Sequence, residues 1–381
     1  MVTTLLLSVN LYADDEDEFL SDEAIEVVKL DTKKDNKFVS YGSIMASSNY
    51  NYKDKNSITS AKLSTKLKFE YIVDEFHKIK STIKAYKDYK TNTKDDKEYS
   101  INELSVEGTF HNGIDGKFGR QIVVWGKSDN IRITDVLNPL DNTAPAMVDI
   151  EDLRLGRFMT KLDYYVNDWS YGVILLHENR YSLMPKYGSD YYMPLNIANA
   201  PSNSIDNTGV ALSASGMFQG QDLAFYFTRQ YVDNTTYKSN MMGVAYNKVI
   251  NSFLFKTEIA HFDNYGSNII KQKTDGLVGL EYTGISDGSV SLEVVNKDDD
   301  IQYALRFTQS FMNQILDFTT LYSGFGKDLE DGGFVRAWFD YDLDDEIALS
   351  FGVVDYIGGD NIMFDMLKDN DRVFGSFKYS F

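Results

Sequence analysis

From Phe38 onward, apolar and polar positions alternate with a period of two, in segments of roughly 10–13 residues separated by turn residues. The stretch "AKLSTKLKFEYIVD" (61–74) sets Leu63, Thr65, Leu67, Phe69, Tyr71 and Val73 against Lys62, Lys66, Lys68 and Glu70. "VRAWFDYDL" (335–343) sets Val335, Ala337, Phe339, Tyr341 and Leu343 against Arg336, Trp338, Asp340 and Asp342. "DRVFGSFKYSF" (371–381) puts Val373, Gly375, Phe377, Tyr379 and Phe381 on one face and Phe374, Ser376, Lys378 and Ser380 on the other. No segment sustains a 3.6-residue period, so the predicted main element is the strand.

The connections alternate as well. Short ones such as "VDEF" (73–76), "VNDW" (166–169), "SDGS" (286–289) and "LDDE" (343–346) interleave with longer polar ones, notably 126–156, 179–205, 264–273 and 356–370. Long strands, mid-strand charges on one face and aromatics crowded at strand ends argue against a soluble sandwich, which also alternates. The pattern predicts an all-β fold: a transmembrane antiparallel up-and-down barrel of about 18 strands, with short periplasmic turns and long extracellular loops, in the bacterial outer membrane. A hairpin hidden in 179–205 would change that count by two. The final strand is expected to pair with the first, around Phe38–Tyr52, leaving no free edge. Phe381 at this spacing resembles the carboxy-terminal signal read by the barrel-assembly machinery, which makes that machinery and outer-membrane lipid expected partners.

Composition adds limits. The chain has 381 residues, 26 Tyr, 24 Phe, only 5 Pro and no Cys, which excludes disulfides and thiolate metal sites. A net charge of −19 argues against nucleic acid, and against anionic headgroups, as general partners. No run of 18 apolar residues occurs, so no helical span is expected. Residues 1–13, ending at Ala13, read as the end of a secretory signal peptide whose start is truncated. Residues 14–37 read as a charged periplasmic lead-in with a short helix near Asp22–Lys29, and 38–381 as the barrel.

With the apolar parity facing lipid, the other parity lines the lumen. Lys62, Lys66, Lys68, Lys78, Lys80 and Lys84 then form a basic wall on two neighbouring strands. Glu103, Glu107, Glu281, Glu293, Arg306, Arg336, Asp340, Asp342 and Arg372 line the rest. The longest connection is entered after a strand predicted to end at Trp125–Gly126. Arg120 and Gln121 fall on opposite faces, so a bulge or a local change of parity is expected there. Residues 126–156 mix Ile131, Ile133, Val136 and Leu137 with charges, the composition of a loop that folds inward and narrows the pore. The candidate constriction residues of the segment are Trp125, Asp129, Arg132, Asp135, Asp149, Glu151, Asp152 and Arg154.

The expected function is a porin-like channel for a small amphipathic or anionic molecule, restricted by that loop. The competing reading is a non-conducting barrel that serves as a scaffold. The segment "RQIVVWGKSDNIRITDVLNP" (120–139) resembles the signature of an uncharacterised proteobacterial outer-membrane barrel family. The matching positions are Arg120, Gln121, Trp125, Gly126, Asp129, Arg132, Thr134, Asp135, Asn138 and Pro139, with Glu151, Asp152 and Arg154 further on. Members are often encoded beside RND-superfamily exporters and a periplasmic companion. The resemblance implies passage of a small, amphipathic molecule and an RND-type or periplasmic partner, the alternative being a non-conducting component of an RND-linked lipid or hydrophobe transport system, and no catalytic residues.

An enzyme is not expected. His77, His111, His177 and His261 are scattered, and none sits in a nucleophile, zinc-protease, P-loop or dinucleotide motif. No cofactor is expected. The acidic clusters "NKDDDIQ" (296–302) and "DNDR" (369–372) are read as charged loops at a solvated rim rather than Ca²⁺ sites.

Overall fold

The computed structural model describes residues 37–90, 97–110, 113–148, 152–194, 198–264, 272–298 and 300–381. The expected signal peptide, nearly all of the lead-in and its short helix lie outside the described residues. The strands are β1 (Phe38–Asn51), β2 (Ser57–Ile72), β3 (His77–Asp88), β4 (Lys97–Phe110), β5 (Ile114–Gln121) and β6 (Arg157–Val166). There follow β7 (Trp169–Leu176), β8 (Gly209–Phe218), β9 (Gln221–Tyr231), β10 (Lys238–Ile250), β11 (Phe253–Asp263) and β12 (Gln272–Ile285). The set ends with β13 (Gly288–Lys297), β14 (Asp300–Phe311), β15 (Leu316–Phe325), β16 (Gly332–Asp342), β17 (Ile347–Ile357) and β18 (Arg372–Ser380).

Each strand pairs antiparallel with the next, and β18 pairs with β1, so the 18-stranded sheet closes on itself. Ile44 stands opposite Tyr379, and Gly42 and Phe381 exchange backbone hydrogen bonds at 2.9 Å. Closure satisfies backbone groups that an open edge would leave bare in lipid. The terminal aromatic strand thus has its partner, as expected.

Local chemistry explains the short turns. Asn167, Gly220, Asn251 and Asp287 take positive φ in two-residue connections, the left-handed conformation that Asn, Asp and Gly tolerate. The turns at 73–76 and 343–346 share one device. Asp74 accepts from the Phe76 and His77 N–H groups at 2.9 and 3.0 Å, and Asp344 accepts from Glu346 and Ile347 at 2.9 and 2.8 Å. Outward side chains form an apolar belt, with Val278 67% and Phe351 54% exposed to whatever surrounds the barrel. Aromatic pairs cluster toward its short-turn end, among them Phe38–Phe69, Phe253–Tyr282 and Phe318–Phe339, with ring centroids 5.9, 4.8 and 4.7 Å apart. Such girdles mark a membrane interface.

Two expectations need correction. β5 ends at Gln121, four residues before Trp125, because the Val123 and Trp125 N–H groups turn to Asn138 and Asp135 instead of a neighbouring strand. Nor does β5 carry a bulge: its pairing with β6 runs unbroken, with Arg120 outward and Gln121 inward. The register shift lies in β4, where Asn102 is the extra residue. The connection 177–208 hides no further hairpin among its described residues, so the strand count stands. It holds a short 3₁₀ turn, Ile205–Asn207, while a helix α1 (Ile362–Leu367) sits before β18.

Candidate pore and its inward segment

The connection 122–156 lies against the inward parity of the sheet. Val123, Trp125, Ile131, Ile133 and Leu137 form one buried cluster with Met159, Ile174, Leu176, Met241, Phe262 and Leu277, all inward positions of β6 to β12. Inward Ala211, Ala260 and Ala304 leave the room this packing needs. Trp125 stacks on Tyr226 of β9 with centroids 4.7 Å apart.

Buried carboxylates hold the backbone of the segment. Glu258 on β11, 1% exposed, accepts from the Lys127, Ser128 and Thr134 N–H groups and from the Thr134 hydroxyl, the last at 2.7 Å. Glu293 on β13 accepts from the Asp129 and Asn130 N–H groups at 2.9 and 3.2 Å and from the Ser128 hydroxyl at 3.0 Å. Lys256 pairs with Asp129 and lies 3.0 Å from Glu281. Arg157 donates to the Leu137 carbonyl and to Gln230, whose amide in turn donates to the Val136 carbonyl at 2.8 Å. A buried carboxylate is tolerated only when its lone pairs are satisfied, and here the segment supplies the donors. Gly126 is obligatory: its φ is +86°, and a Cβ would come within 2.7 Å of the Glu258 carboxylate.

The segment then crosses to the far side. Ala144, Ala146 and Met147 pack beside Tyr191, Val354, Tyr356 and Leu367, and the Tyr356 hydroxyl donates to the Pro145 carbonyl at 2.6 Å. Asp152 approaches Lys66 of β2 at 4.0 Å. One connection thus touches β11 and β13, then β17, then β2. The second long connection joins it there: Tyr191 lies over Arg372, with the guanidinium 4.4 Å from the ring centre, and Asp190 pairs with Lys55.

The predicted constriction residues divide. Trp125, Asp135 and Arg154 are buried anchors, with Asp135 held at 2.9 Å by both Arg132 and Arg154. Asp129 is tied to Lys256, and Asp152 has an exposed side chain near the lysine wall. Asp149 and Glu151 lie outside the described residues. Asn138, part of the signature, clasps the base of the segment: it accepts from Val123 at 2.8 Å and donates to the Gln121 and Leu155 carbonyls at 3.2 and 2.8 Å.

All six predicted wall lysines take the inward parity of β2 and β3. Lys66 and Lys84 stand directly opposite each other, Lys62 lies 4.4 Å above the Tyr86 ring and Lys68 5.6 Å above that of Tyr41. Toward the periplasmic end the wall is compensated: Lys78 is 3.9 Å from Glu70, and Glu107 lies 3.5 Å from Lys80 and 3.8 Å from Lys117. Glu103 accepts from Thr82 at 3.2 Å. Arg336 stacks 4.0 Å from the Trp338 ring, with Arg306 at 6.0 Å, and the indole donates to Asp340 at 3.0 Å. Arg372 lies beneath Tyr191 at 1% exposure, so it does not border open water. Its neighbour Asp371 is also buried, accepting from the Tyr356 N–H at 2.8 Å and pairing with Lys53 at 2.7 Å; these residues are not a solvated rim.

Glu258, Lys256, Tyr226 and Gln230 were missed as site residues. Their signal was inward parity together with unusually apolar inward neighbours such as Ile174, Leu176 and Met241, which a water-filled wall would not carry. The histidines do not converge: His77 bonds Asp74 in a periplasmic turn, His177 bonds Thr160 on the outer face and His261 bonds Thr274. His111 lies outside the described residues.

Neither a family model nor a curated protein matches the chain. Among solved structures, Pseudomonas aeruginosa OccK2 (OpdF) is similar with a TM-score of 0.58 at 10% identity, over 90% of this chain and 97% of that one. P. aeruginosa OccK11 (OpdR) gives 0.57 at 8% identity, over 90% and 95%. P. aeruginosa OccK5 (OpdH) gives 0.57 at 8% identity, over 90% and 98%. At such identities the likeness speaks for the fold, which is that of outer-membrane porins. The closed barrel and its apolar, aromatic-edged belt place the protein in the bacterial outer membrane.

Proposed function

We propose that this barrel is a channel whose lumen is narrowed by the segment 122–156 and whose lysine wall favours small anionic solutes. The observation that carries the reading is the path of the segment, which is anchored on Glu258 and Glu293 yet reaches Tyr356 and Lys66 on other walls. A connection that touches β2, β11, β13 and β17 leaves only part of a wide barrel's cross-section for solutes. Lys62, Lys66 and Lys84 border that part, and facing like charges favour an anion between them. The fold likeness includes a structure of OccK2 in complex with glucuronate, a carboxylate, which agrees with this charge preference.

The test is single-channel conductance in a planar bilayer under a salt gradient, comparing the intact chain with one in which a short Gly-Ser linker replaces residues 128–150. Discrete anion-preferring steps that grow at least twofold on deletion are expected. Equal conductance from a heat-modifiable, folded deletion variant would sink the restriction. Silence from both proteins would turn the reading to a non-conducting scaffold, where an RND-type or periplasmic partner would be sought.

A further inference from the structure

The outward-facing rim at the long-loop end is not uniform. Lys87 and Lys97 stand opposite each other where β3 and β4 end, and Arg229 and Lys238 follow on β9 and β10. Each lies on the outer face: Lys87 shares the parity of Leu63, and Arg229 that of Val210, while its neighbour Gln230 points inward to bind the segment. Between these groups, Arg120, next to last in β5, lies on the outer face, ion-paired with Glu178 at 2.6 Å. The corresponding outward positions of β11 to β18 and of β1 and β2 carry Asp263 and Asp355 but, among the described residues, no Lys or Arg. Among the described strand residues, the outward cations of this rim therefore fall in one arc over β3 to β10, in a chain of net charge −19.

The same arc holds two clefts. One, of about 500 Å³, is bordered by Tyr99, Ile101, Leu104, Phe158 and Arg120. The other, of about 620 Å³, is bordered by Phe118, Phe158, His177 and Ile205, again with Arg120. Their apolar walls continue the lipid-facing belt, and their polar edge holds Arg120 and Arg180 together with Glu98 and Glu178. The clefts exist because β5 and β7 are short and the β4 edge beyond Leu104 has no strand partner on that side.

We propose that this arc binds phosphorylated lipid of the outer leaflet, with phosphates on Lys87, Lys97 and Arg229 and acyl chains in the two clefts; the Lys238 ammonium is held by the Asp206 carbonyl at 2.8 Å. Basic groups at a membrane surface attract anionic headgroups, and lysine stems lie along apolar surface while their heads reach the phosphate plane. The acidic net charge disfavours anionic lipid only as a general partner; within a Debye length the local cations decide. This inference rests on the placement in the membrane and not on conduction.

Native mass spectrometry of the full chain with bisphosphorylated hexa-acyl lipid A as probe tests it. Wild-type protein should bind this probe at least tenfold more tightly than its dephosphorylated form, and inorganic phosphate should not displace it. K87E/K97E/R229E should lose at least tenfold in affinity, K87Q/K97Q/R229Q should lose less, and K87R/K97R/R229K should bind as wild type. Heat-modifiable mobility and conductance, which these outward residues do not touch, report folding. Binding within twofold of wild type by a folded charge-reversed variant overturns the site. So does equal binding of the dephosphorylated lipid, which would mean acyl adhesion alone, or displacement by inorganic phosphate, which would mean a free-anion site.

Discussion

The walls formed by β2–β3 and by β9–β13 are built from the same alternating grammar and end in opposite states. On β2–β3 the inward charges Lys62, Lys66 and Lys84 stay partly exposed, with Asp152 of the connection 4.0 Å from Lys66. On β9–β13 the inward charges Lys256, Glu258 and Glu293 are 3%, 1% and 1% exposed, sealed beneath the segment 122–138. The strands are alike; what differs is the cover. Inward parity therefore names a candidate for the pore lining and nothing more. A residue lines the pore only where no loop returns to claim it.

The largest effect should come from breaking the covered wall. Glu258→Leu strands three backbone N–H donors and the Thr134 hydroxyl, which should cost the attachment of the segment about 3 kcal/mol or more. The chain has no cysteine, so Ile131→Cys offers a clean reporter. Its reaction with a small maleimide should quicken about a hundredfold in the Glu258→Leu background, in keeping with tenfold per 1.4 kcal/mol. An unchanged labelling rate would mean that packing, not the carboxylate, holds the segment.

The open wall should respond in selectivity rather than in stability. Lys84→Glu places an opposite charge across from Lys66, worth only about 0.2–1 kcal/mol of added cross-strand stability. The reversal potential under a salt gradient should nevertheless move toward cations. A barrel that keeps its anion preference after this change does not use the lysine wall as its filter.

The smallest effect belongs to the turn that joins the two strands of the open wall. The Phe76 N–H and then the His77 ring hold the Asp74 carboxyl below its ordinary value of 3.8. A lowered folded pKa means that its support is complete above that ordinary value and is lost as pH falls through the lowered one. Protection of the Phe76 and His77 amides, taken relative to their intrinsic exchange rates, should therefore fall on strong acidification in the native chain. In Asp74→Asn, which cannot titrate, that loss of protection should disappear; its persistence would place the acid sensitivity elsewhere.

Most of the barrel was legible because its period is local. A strand with Leu63, Leu67 and Phe69 on one face and Lys62, Lys66 and Lys68 on the other reports its own orientation. Asn and Asp at turn positions report where it reverses. The signature 120–139 was legible as unusual, and its apolar residues pointed inward. What each of its residues does was not. Trp125, Asp135 and Arg154 looked like pore residues because they are large or charged, yet they are buried anchors: Trp125 stacks on Tyr226 of β9, and Asp135 ties Arg132 to Arg154 within the connection. Arg120 and Gln121 suggested a bulge or a change of parity because they put polar groups on both faces. Arg120 is an outward cation at the rim, and the bulge is on the neighbouring strand.

By itself, then, the sequence determined the strand class, the two faces, the turns and the closure, since each follows from the chemistry of neighbouring residues and from the demand that every backbone group in lipid be paired. Only the tertiary structure decided which inward residues meet water. That depends on where a thirty-five-residue connection (122–156) returns. Its path is set by partners more than a hundred positions away, such as Glu258 for Thr134 and Tyr356 for Pro145. Burial of that kind has no period, so no alternation along the chain announces it.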